Sequence, residues 1–190
     1  MFCIIVNDMS RKKQTTISQL HGFIILVVLL IIPLVFSYLY FNGRTEINIP
    51  KGCGTFATWE WDLNYYSCAE GSKQHEVEKI WHKNGTQDEK GFQKLNGRYL
   101  IACTDTFGQV GDKIDFYMSN ETVLKCIIYD LKSQKKAFYD KNPANKWGHH
   151  NGQVVMEFVG AYTIGKNPYK TLGLGKEHTV KAIRYGNIFD

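Results

Sequence analysis

The sequence lacks the short motifs that mark most enzymes and metal proteins. There is no Gly-x-Ser-x-Gly elbow, which argues against a serine hydrolase of the α/β type, and no glycine-rich phosphate loop, which argues against nucleotide binding. No Cys-x-x-Cys pair or His-paired zinc spacing occurs, so no metal and no cofactor is expected. A formal net charge of +5 over 190 residues is spread without a long basic block. With no nucleic-acid-binding motif beside it, this charge gives no reason to expect a nucleic-acid partner.

One long hydrophobic run is present, at residues 23–41. It contains no charged residue, and it has about the roughly 20 residues that a bilayer-spanning helix needs. Bulky residues stand where a signal peptide would have a small-residue cleavage site, which favours an uncleaved anchor. Three basic residues at 11–13 precede the run, so the positive-inside rule places an arm, 1–21, in the cytoplasm. We therefore predict a single-pass cell-membrane protein that contacts the lipid bilayer through a transmembrane helix at 22–41.

The rest of the chain is predicted to be a polar spacer, 42–54, followed by an extracytoplasmic domain, 55–190. One helix is expected after an N-cap at Ser72, and residues 55–66 form either a strand or an amphipathic helix. Short apolar stretches between turn residues predict five strands, at 98–103, 112–118, 122–130, 153–159 and 179–185. The fold class is thus mainly β (α+β), with one or two helices.

Four cysteines fall in the predicted extracytoplasmic domain and allow two disulfides in three pairings. Proximity in the sequence suggests Cys53–Cys68, and neighbouring strands suggest Cys103–Cys126. Cys103 or Cys126 paired with a histidine would instead make a cysteine peptidase or amidase, but no family signature surrounds either residue.

The most informative stretch, 107–132, contains two strands joined by a polar turn at 119–122. Alternation along the second strand predicts that Asp130 shares a face with Leu124, Cys126 and Ile128. A carboxyl group beside apolar side chains is either a buried, hydrogen-bonded structural group or one whose pKa is adjusted for catalysis.

This stretch resembles the double-psi β-barrel domains of cell-wall-active proteins, namely the RlpA-like domain, the 3D domain of lytic transglycosylases and the expansins. The similarity lies in Phe107-Gly108, in Gly111-Asp112-Lys113-Ile114, and in Cys126-Ile127-Ile128-Tyr129-Asp130. The wider pattern, GRYLIACTDTFGQVGDKIDFY followed by KWGHHNGQ, is similar to exported proteins of Gram-positive bacteria and their mobile elements. The resemblance implies a small double-psi-like barrel, with its core at about 98–185, and cell-wall glycan as the partner.

The resemblance also implies that Asp130 is the acid that acts on glycan. In the transglycosylases one Asp protonates the glycosidic oxygen and then accepts a proton from a sugar hydroxyl, which closes an anhydro ring. An ordinary glycosidase needs a second carboxylate, for which Asp105 is the leading candidate and Asp112 the next. Leu131-Lys132 departs from the glycines that follow the Asp in the RlpA and 3D patterns and is closer to the expansins, which loosen wall polymers without hydrolysis.

Further candidates for substrate binding are Tyr129, Trp147, His149 and His150. Trp147 is suited to stack on a sugar ring or to anchor its loop in the core. The histidines are suited to acid–base chemistry or to hydrogen bonding with the backbone. The sequence therefore predicts a protein that acts on or binds peptidoglycan-type glycan, either as a transglycosylase-like or glycosidase-like enzyme or without catalysis. The alternative is a non-catalytic interaction module with protein partners in an envelope, secretion or conjugation assembly.

Overall fold

The structure, a computed structural model, describes four stretches of the chain: 24–35, 43–61, 68–132 and 142–190. Two compact units divide the chain, Met1–Gly43 and Arg44–Asp190. In the first unit, residues 24–35 are helical and nearly all of their apolar side chains are exposed. Within the four stretches, no helix is long and apolar enough to cross a membrane. The predicted arm, 1–21, and residues 22–23 and 36–41 of the predicted span lie outside them.

The second unit is mostly β-sheet with few helices, as the sequence predicts. Its helices are α1 (Lys73–Asn84) and α2 (Pro168–Thr171), with short 3-10 turns at Pro143–Trp147 and Tyr162–Ile164. Its strands are β1 (Arg44–Asn48), β2 (Phe56–Trp61), β3 (Gly85–Gln87), β4 (Gln93–Leu95), β5 (Arg98–Cys103), β6 (Asp112–Met118), β7 (Val123–Leu131), β8 (Val154–Gly160) and β9 (Thr179–Asn187).

The nine strands belong to one sheet of mixed direction. Seven follow the order β1-β9-β6-β7-β5-β4-β3, while β8 pairs with both β5 and β2. The β5–β7 and β2–β8 pairs are parallel, and every other pair of these strands is antiparallel. Two parallel pairs therefore flank the antiparallel β5–β8 pair, and β7 lies between β5 and β6.

Local sequence signals account for several of these elements. The side chain of Ser72 caps α1 by accepting a hydrogen bond from the backbone N–H of His75 at 3.1 Å, as predicted. Residues 55–66, for which strand and helix were both open, contain β2. Part of the expected spacer, 44–48, instead forms β1 against β9. The reason is apolar burial, because Ile47 packs against the core and Ile49 is buried.

Buried side chains form two clusters. The larger one, here called the main core, includes Ile101, Cys103 and Ile128. The smaller one, the helix-side core, lies where α1 covers the sheet and contains Val77, Leu95, Leu100, Ile127, Tyr129 and Val159. Successive residues of β5 and β7 alternate between the clusters, as expected for strands that are buried on both faces.

A β-bulge interrupts this alternation in β7. Ile101 pairs with Ile128, but the next residue of β5, Ala102, pairs with Asp130 and passes over Tyr129. Two residues of β7 thus oppose one residue of β5, and such an extra residue redirects the side chains that follow it.

The bulge moves Asp130 off the main-core face. Leu131 packs against the main core and pairs with Cys103, so Leu131 and not Asp130 continues that face. Asp130 is in register with Ala102, on the opposite face. The prediction that Asp130 shares a face with Leu124, Cys126 and Ile128 is therefore wrong, because strict alternation does not anticipate the extra residue.

Candidate functional site

Asp130 and Glu157 flank Ala102 across three neighbouring strands. Ala102 of β5 pairs with Asp130 of β7 on one side and with Glu157 of β8 on the other. Paired residues in a sheet point to the same face, so both carboxylates rise on either side of one small methyl group. Thr58 of β2 pairs with Glu157 and extends the line. We call these four residues the carboxylate row.

The environment of Asp130 favours its protonated form. Burial is the largest influence and raises the pKa of this carboxyl group. The charge of Lys132 and a hydrogen bond from the backbone N–H of Leu131 lower the pKa, while the negative charge of Glu157 raises it. Burial prevails, so the pKa of Asp130 lies above that of an ordinary aspartate. Such a group is suited to donate a proton near neutral pH.

Glu157 is held in a different electrostatic environment. The Lys132 ammonium lies 2.5 Å from Glu157 Oε2, and each of the two side chains is 17% exposed. The second oxygen, Oε1, lies 4.0 Å from His149 Nε2, which is beyond hydrogen-bonding distance. The row therefore combines a carboxyl group whose pKa is raised by burial, Asp130, with one that an ammonium engages, Glu157.

A tight turn places His149 beside Glu157 and His150 beside Phe56. His149 pairs with Val154 through two backbone hydrogen bonds of 3.1 Å, and His150 and Asn151 have φ angles of 52° and 59°. His149 is half-buried beside Glu157, whereas the exposed His150 has its ring centroid 6.1 Å from that of Phe56. Of the two histidines, the structure brings only His149 into the site.

Tyr129 is fully buried, so its side chain is not available for the predicted contact with a substrate. Its hydroxyl donates a hydrogen bond of 2.5 Å to Oε1 of Glu78 on α1, and Cys68 Sγ lies 3.6 Å from the Tyr129 hydroxyl oxygen. Burial and the bond to Glu78 raise the pKa of Tyr129. Tyr129 is the residue that the bulge passes over, so this contact fixes the backbone next to Asp130 to α1.

Asp105 and Trp147 are the other two site residues that the sequence predicts. Asp105 is exposed and lines an open pocket of about 420 Å³ together with Thr106, Pro143 and Lys146. Trp147 packs against the main core, with its ring centroid 6.1 Å from that of Phe107. The carboxylate whose charge raises the pKa of Asp130 is that of Glu157. Glu157 is thus a further carboxylate beside Asp130, and the role of Asp105 stays a prediction from the sequence.

The cysteines do not form the suggested disulfides. Within the described chain, Cys53, Cys103 and Cys126 are buried free thiols, so neither Cys53–Cys68 nor Cys103–Cys126 is bonded. Burial raises the pKa of both Cys103 and Cys126, which keeps their sulfur atoms protonated and unreactive. This finding argues against either residue as a nucleophile.

The sequence analysis missed Glu157 and Lys132 as site residues. Glu157 is the single charged residue in the apolar strand VVMEFVG, and that interruption is a signal visible in the sequence. Lys132 was considered only as a departure from a family pattern. In the part of the chain that the structure describes, no cluster of three or more His, Cys, Asp or Glu side chains is arranged to hold a metal ion.

Chemically, the row and the adjoining Lys132 and His149 offer two carboxyl groups, an ammonium and an imidazole, all partly accessible to solvent. Two carboxyl groups are what acid–base cleavage of a glycosidic bond uses. Comparisons of the chain with family models, with curated proteins and with solved structures gave no match.

Proposed function

We propose that this chain is a membrane-anchored extracytoplasmic protein that acts on peptidoglycan-type cell-wall glycan at the carboxylate row, with Asp130 as the acid. The observation that carries the proposal is the half-buried Asp130, whose pKa is raised. Only Ala102 of β5 separates it, across the sheet, from Glu157, which is ion-paired with Lys132. A perturbed acid beside a charged carboxylate is the arrangement that glycoside cleavage requires.

The strand order supports the barrel that the resemblance implies. A psi-shaped unit has two antiparallel strands with a third between them that is connected to one of the two. In this chain β5 and β6 are antiparallel to each other, β7 lies between them, and the turn at 119–122 connects β7 to β6. Asp130 lies near the end of the middle strand, and the resemblance in sequence is what gives it the role of the acid in this proposal.

The apolar run at 23–41 supports the anchor. Of the large apolar side chains at 24–35, those of Ile24 to Leu26, Val28 to Ile32, Leu34 and Val35 are about half exposed or more. A bilayer would bury this surface at a gain of about 25 cal/mol per Å². With the basic residues 11–13 on the cytoplasmic side, the second unit lies outside the membrane.

The test uses the full-length chain in mild nonionic detergent with purified cell walls. We expect the wild type and the control Glu121→Gln, which changes an exposed turn carboxylate, to release soluble glycan fragments. Asp130→Asn should release none. Sedimentation of the chain with the walls, without release by any variant, would favour a non-catalytic wall-binding module. If the chain neither sediments with the walls nor releases fragments, the proposal is overturned.

A further inference from the structure

We infer that Glu157 is a general base that activates a water molecule, so that the site hydrolyses its glycosidic bond with inversion instead of closing an anhydro ring. The inference rests on the proposed function and deepens it by naming the reaction. A lytic transglycosylase uses one acid and a hydroxyl group of the sugar itself. The carboxylate row contains a second carboxylate, which makes an external nucleophile available.

The register of the row separates the two groups by one whole strand. Neighbouring strands lie about 4.8 Å apart, so the Cα atoms of Asp130 and Glu157 are separated by about 10 Å, with the fully buried Ala102 between them. Inverting glycosidases hold their carboxyl groups roughly 6.5–9.5 Å apart to admit a water, whereas retaining enzymes hold them about 5–5.5 Å apart. Side chains that start from backbones this far apart can take the wider of the two spacings.

The ion pair prepares Glu157 for this task. Lys132 bonds to Oε2, while Oε1 faces His149 at 4.0 Å, a gap too wide for a direct hydrogen bond. Oε1 is thus the oxygen that can accept a proton from a bound water. The two carboxyl groups differ in environment, since burial raises the pKa of Asp130 while an ammonium engages Glu157, and such a difference suits the division of roles between an acid and a base.

The proposed step balances without any co-reactant except water. Asp130 gives its proton to the glycosidic oxygen as the bond from the anomeric carbon to that oxygen breaks. The water oxygen bonds to the anomeric carbon from the opposite face, and Glu157 takes the proton that the water loses. The products are a free hydroxyl group on the leaving sugar and a reducing end of inverted configuration.

The experiment follows the fate of solvent oxygen. The full-length chain in mild nonionic detergent digests purified glycan strands in water labelled with heavy oxygen, and the fragments are analysed by mass spectrometry before and after borohydride reduction. We expect reducible ends that carry the label, and an initial anomer opposite to that of the cleaved bond. Unlabelled anhydro ends that resist reduction would overturn this inference while leaving the proposed function intact. No fragments from the wild type would instead overturn the proposed function.

Variants separate a base from a structural partner of Lys132. Glu157→Gln keeps a hydrogen-bond acceptor for Lys132 and should lower the rate at least about 10²-fold, the usual contribution of a general base. Glu157→Ala should regain turnover when azide replaces the water, with formation of a glycosyl azide of inverted configuration. Glu121→Gln serves as the matched control with an unchanged rate. Full activity of Glu157→Gln, or failure of azide to form an adduct in a folded Glu157→Ala protein, would contradict the role of Glu157.

Discussion

The second unit contains two half-buried aspartates in adjacent strands, and their surroundings differ. Asp115 in β6 accepts a hydrogen bond from Arg98 Nη1 at 2.8 Å on one oxygen and from Tyr185 Oη at 2.9 Å on the other. Arg98 also bonds to Tyr185 Oη, and its guanidinium lies 5.1 Å from the ring centroid of Tyr185. In contrast, burial dominates the environment of Asp130 and raises its pKa.

The difference separates a carboxylate whose charge is compensated from one whose burial dominates. At Asp115, a cation and a hydroxyl group engage both oxygens, so the charge is compensated and the group cross-links β5, β6 and β9. At Asp130, the cation that lowers its pKa, Lys132, bonds to another carboxylate, Glu157, and burial prevails. The first group stabilises the fold, whereas the raised pKa of the second makes it the candidate for the proposed chemistry.

The same substitution at each aspartate tests whether the two carboxyl groups contribute differently to stability. We expect Asp115→Asn to lower the free energy of unfolding by about 2 kcal/mol or more, because Arg98 loses its counter-charge while the two side chains are only 15% and 13% exposed. Asp130→Asn should change it by less than about 0.5 kcal/mol or raise it, since the ion pair described beside it joins Lys132 to Glu157.

Urea denaturation of the full-length variants in mild nonionic detergent measures both values. Equal destabilisation by the two substitutions would mean that Asp130 is a structural residue like Asp115, and the catalytic proposal would lose its foundation.

The next largest effect is expected from the contact that fixes the bulge to α1. Tyr129→Phe removes a hydrogen bond to the buried Glu78 and should cost about 1–2 kcal/mol. Tyr117→Phe is the matched control, because Tyr117 is half-exposed on β6 and its ring contacts Lys181 at 4.9 Å without use of the hydroxyl group. It should change stability by less than about 0.5 kcal/mol. A Tyr129→Phe protein as stable as the control would show that the Glu78 contact does not hold the bulge.

The strands were predictable because their signals are local. Asp112–Met118 and Arg98–Cys103 agree with the predicted ranges, since alternation and turn residues depend only on neighbours in the sequence. The bulge at Tyr129 was not predictable, because it arises from the pairing of β7 with β5, about 25 residues earlier in the chain. The face of Asp130 was therefore assigned wrongly, although its strand was assigned correctly.

The site was predictable only in part, for a similar reason. Asp130 and His149 were named from motifs, and the structure brings both to Glu157. Glu157 itself stands 27 positions after Asp130, and only the order of β8, β5 and β7 makes them neighbours. No local pattern contains that information. Tyr129 was assigned to substrate binding, but its side chain is buried and its hydroxyl bonds to Glu78 on α1.

The pH dependence of stability reports whether the pKa of Asp130 is raised in the folded protein. The folded protein keeps a proton on Asp130 at pH values where the unfolded chain, with a pKa of about 3.9, has lost it. The stabilisation from this proton is complete below the unfolded pKa and is lost as the pH rises through the folded pKa. Asp130→Asn should therefore gain stability relative to wild type as the pH rises from about 4 through the folded pKa, by about 1.4 kcal/mol for each unit by which the pKa is raised. Denaturation curves at several pH values measure the difference, and a constant difference would contradict the raised pKa.

The smallest expected effect concerns the charge that opposes burial at Asp130. Lys132→Gln removes the cation that lowers the pKa of Asp130 and leaves the negative charge of Glu157 less compensated, so both changes should raise that pKa further. Lys125→Gln is the control, because Lys125 lies in the same strand but pairs with Asp115. Carbon-13 NMR titration of labelled aspartate side chains should show a higher midpoint for Asp130 in Lys132→Gln and an unchanged one in Lys125→Gln. A midpoint that falls on removal of Lys132 would mean that Lys132 acts on Asp130 through structure and not through charge, and the separate roles of the acid and the ion-paired carboxylate would then not hold.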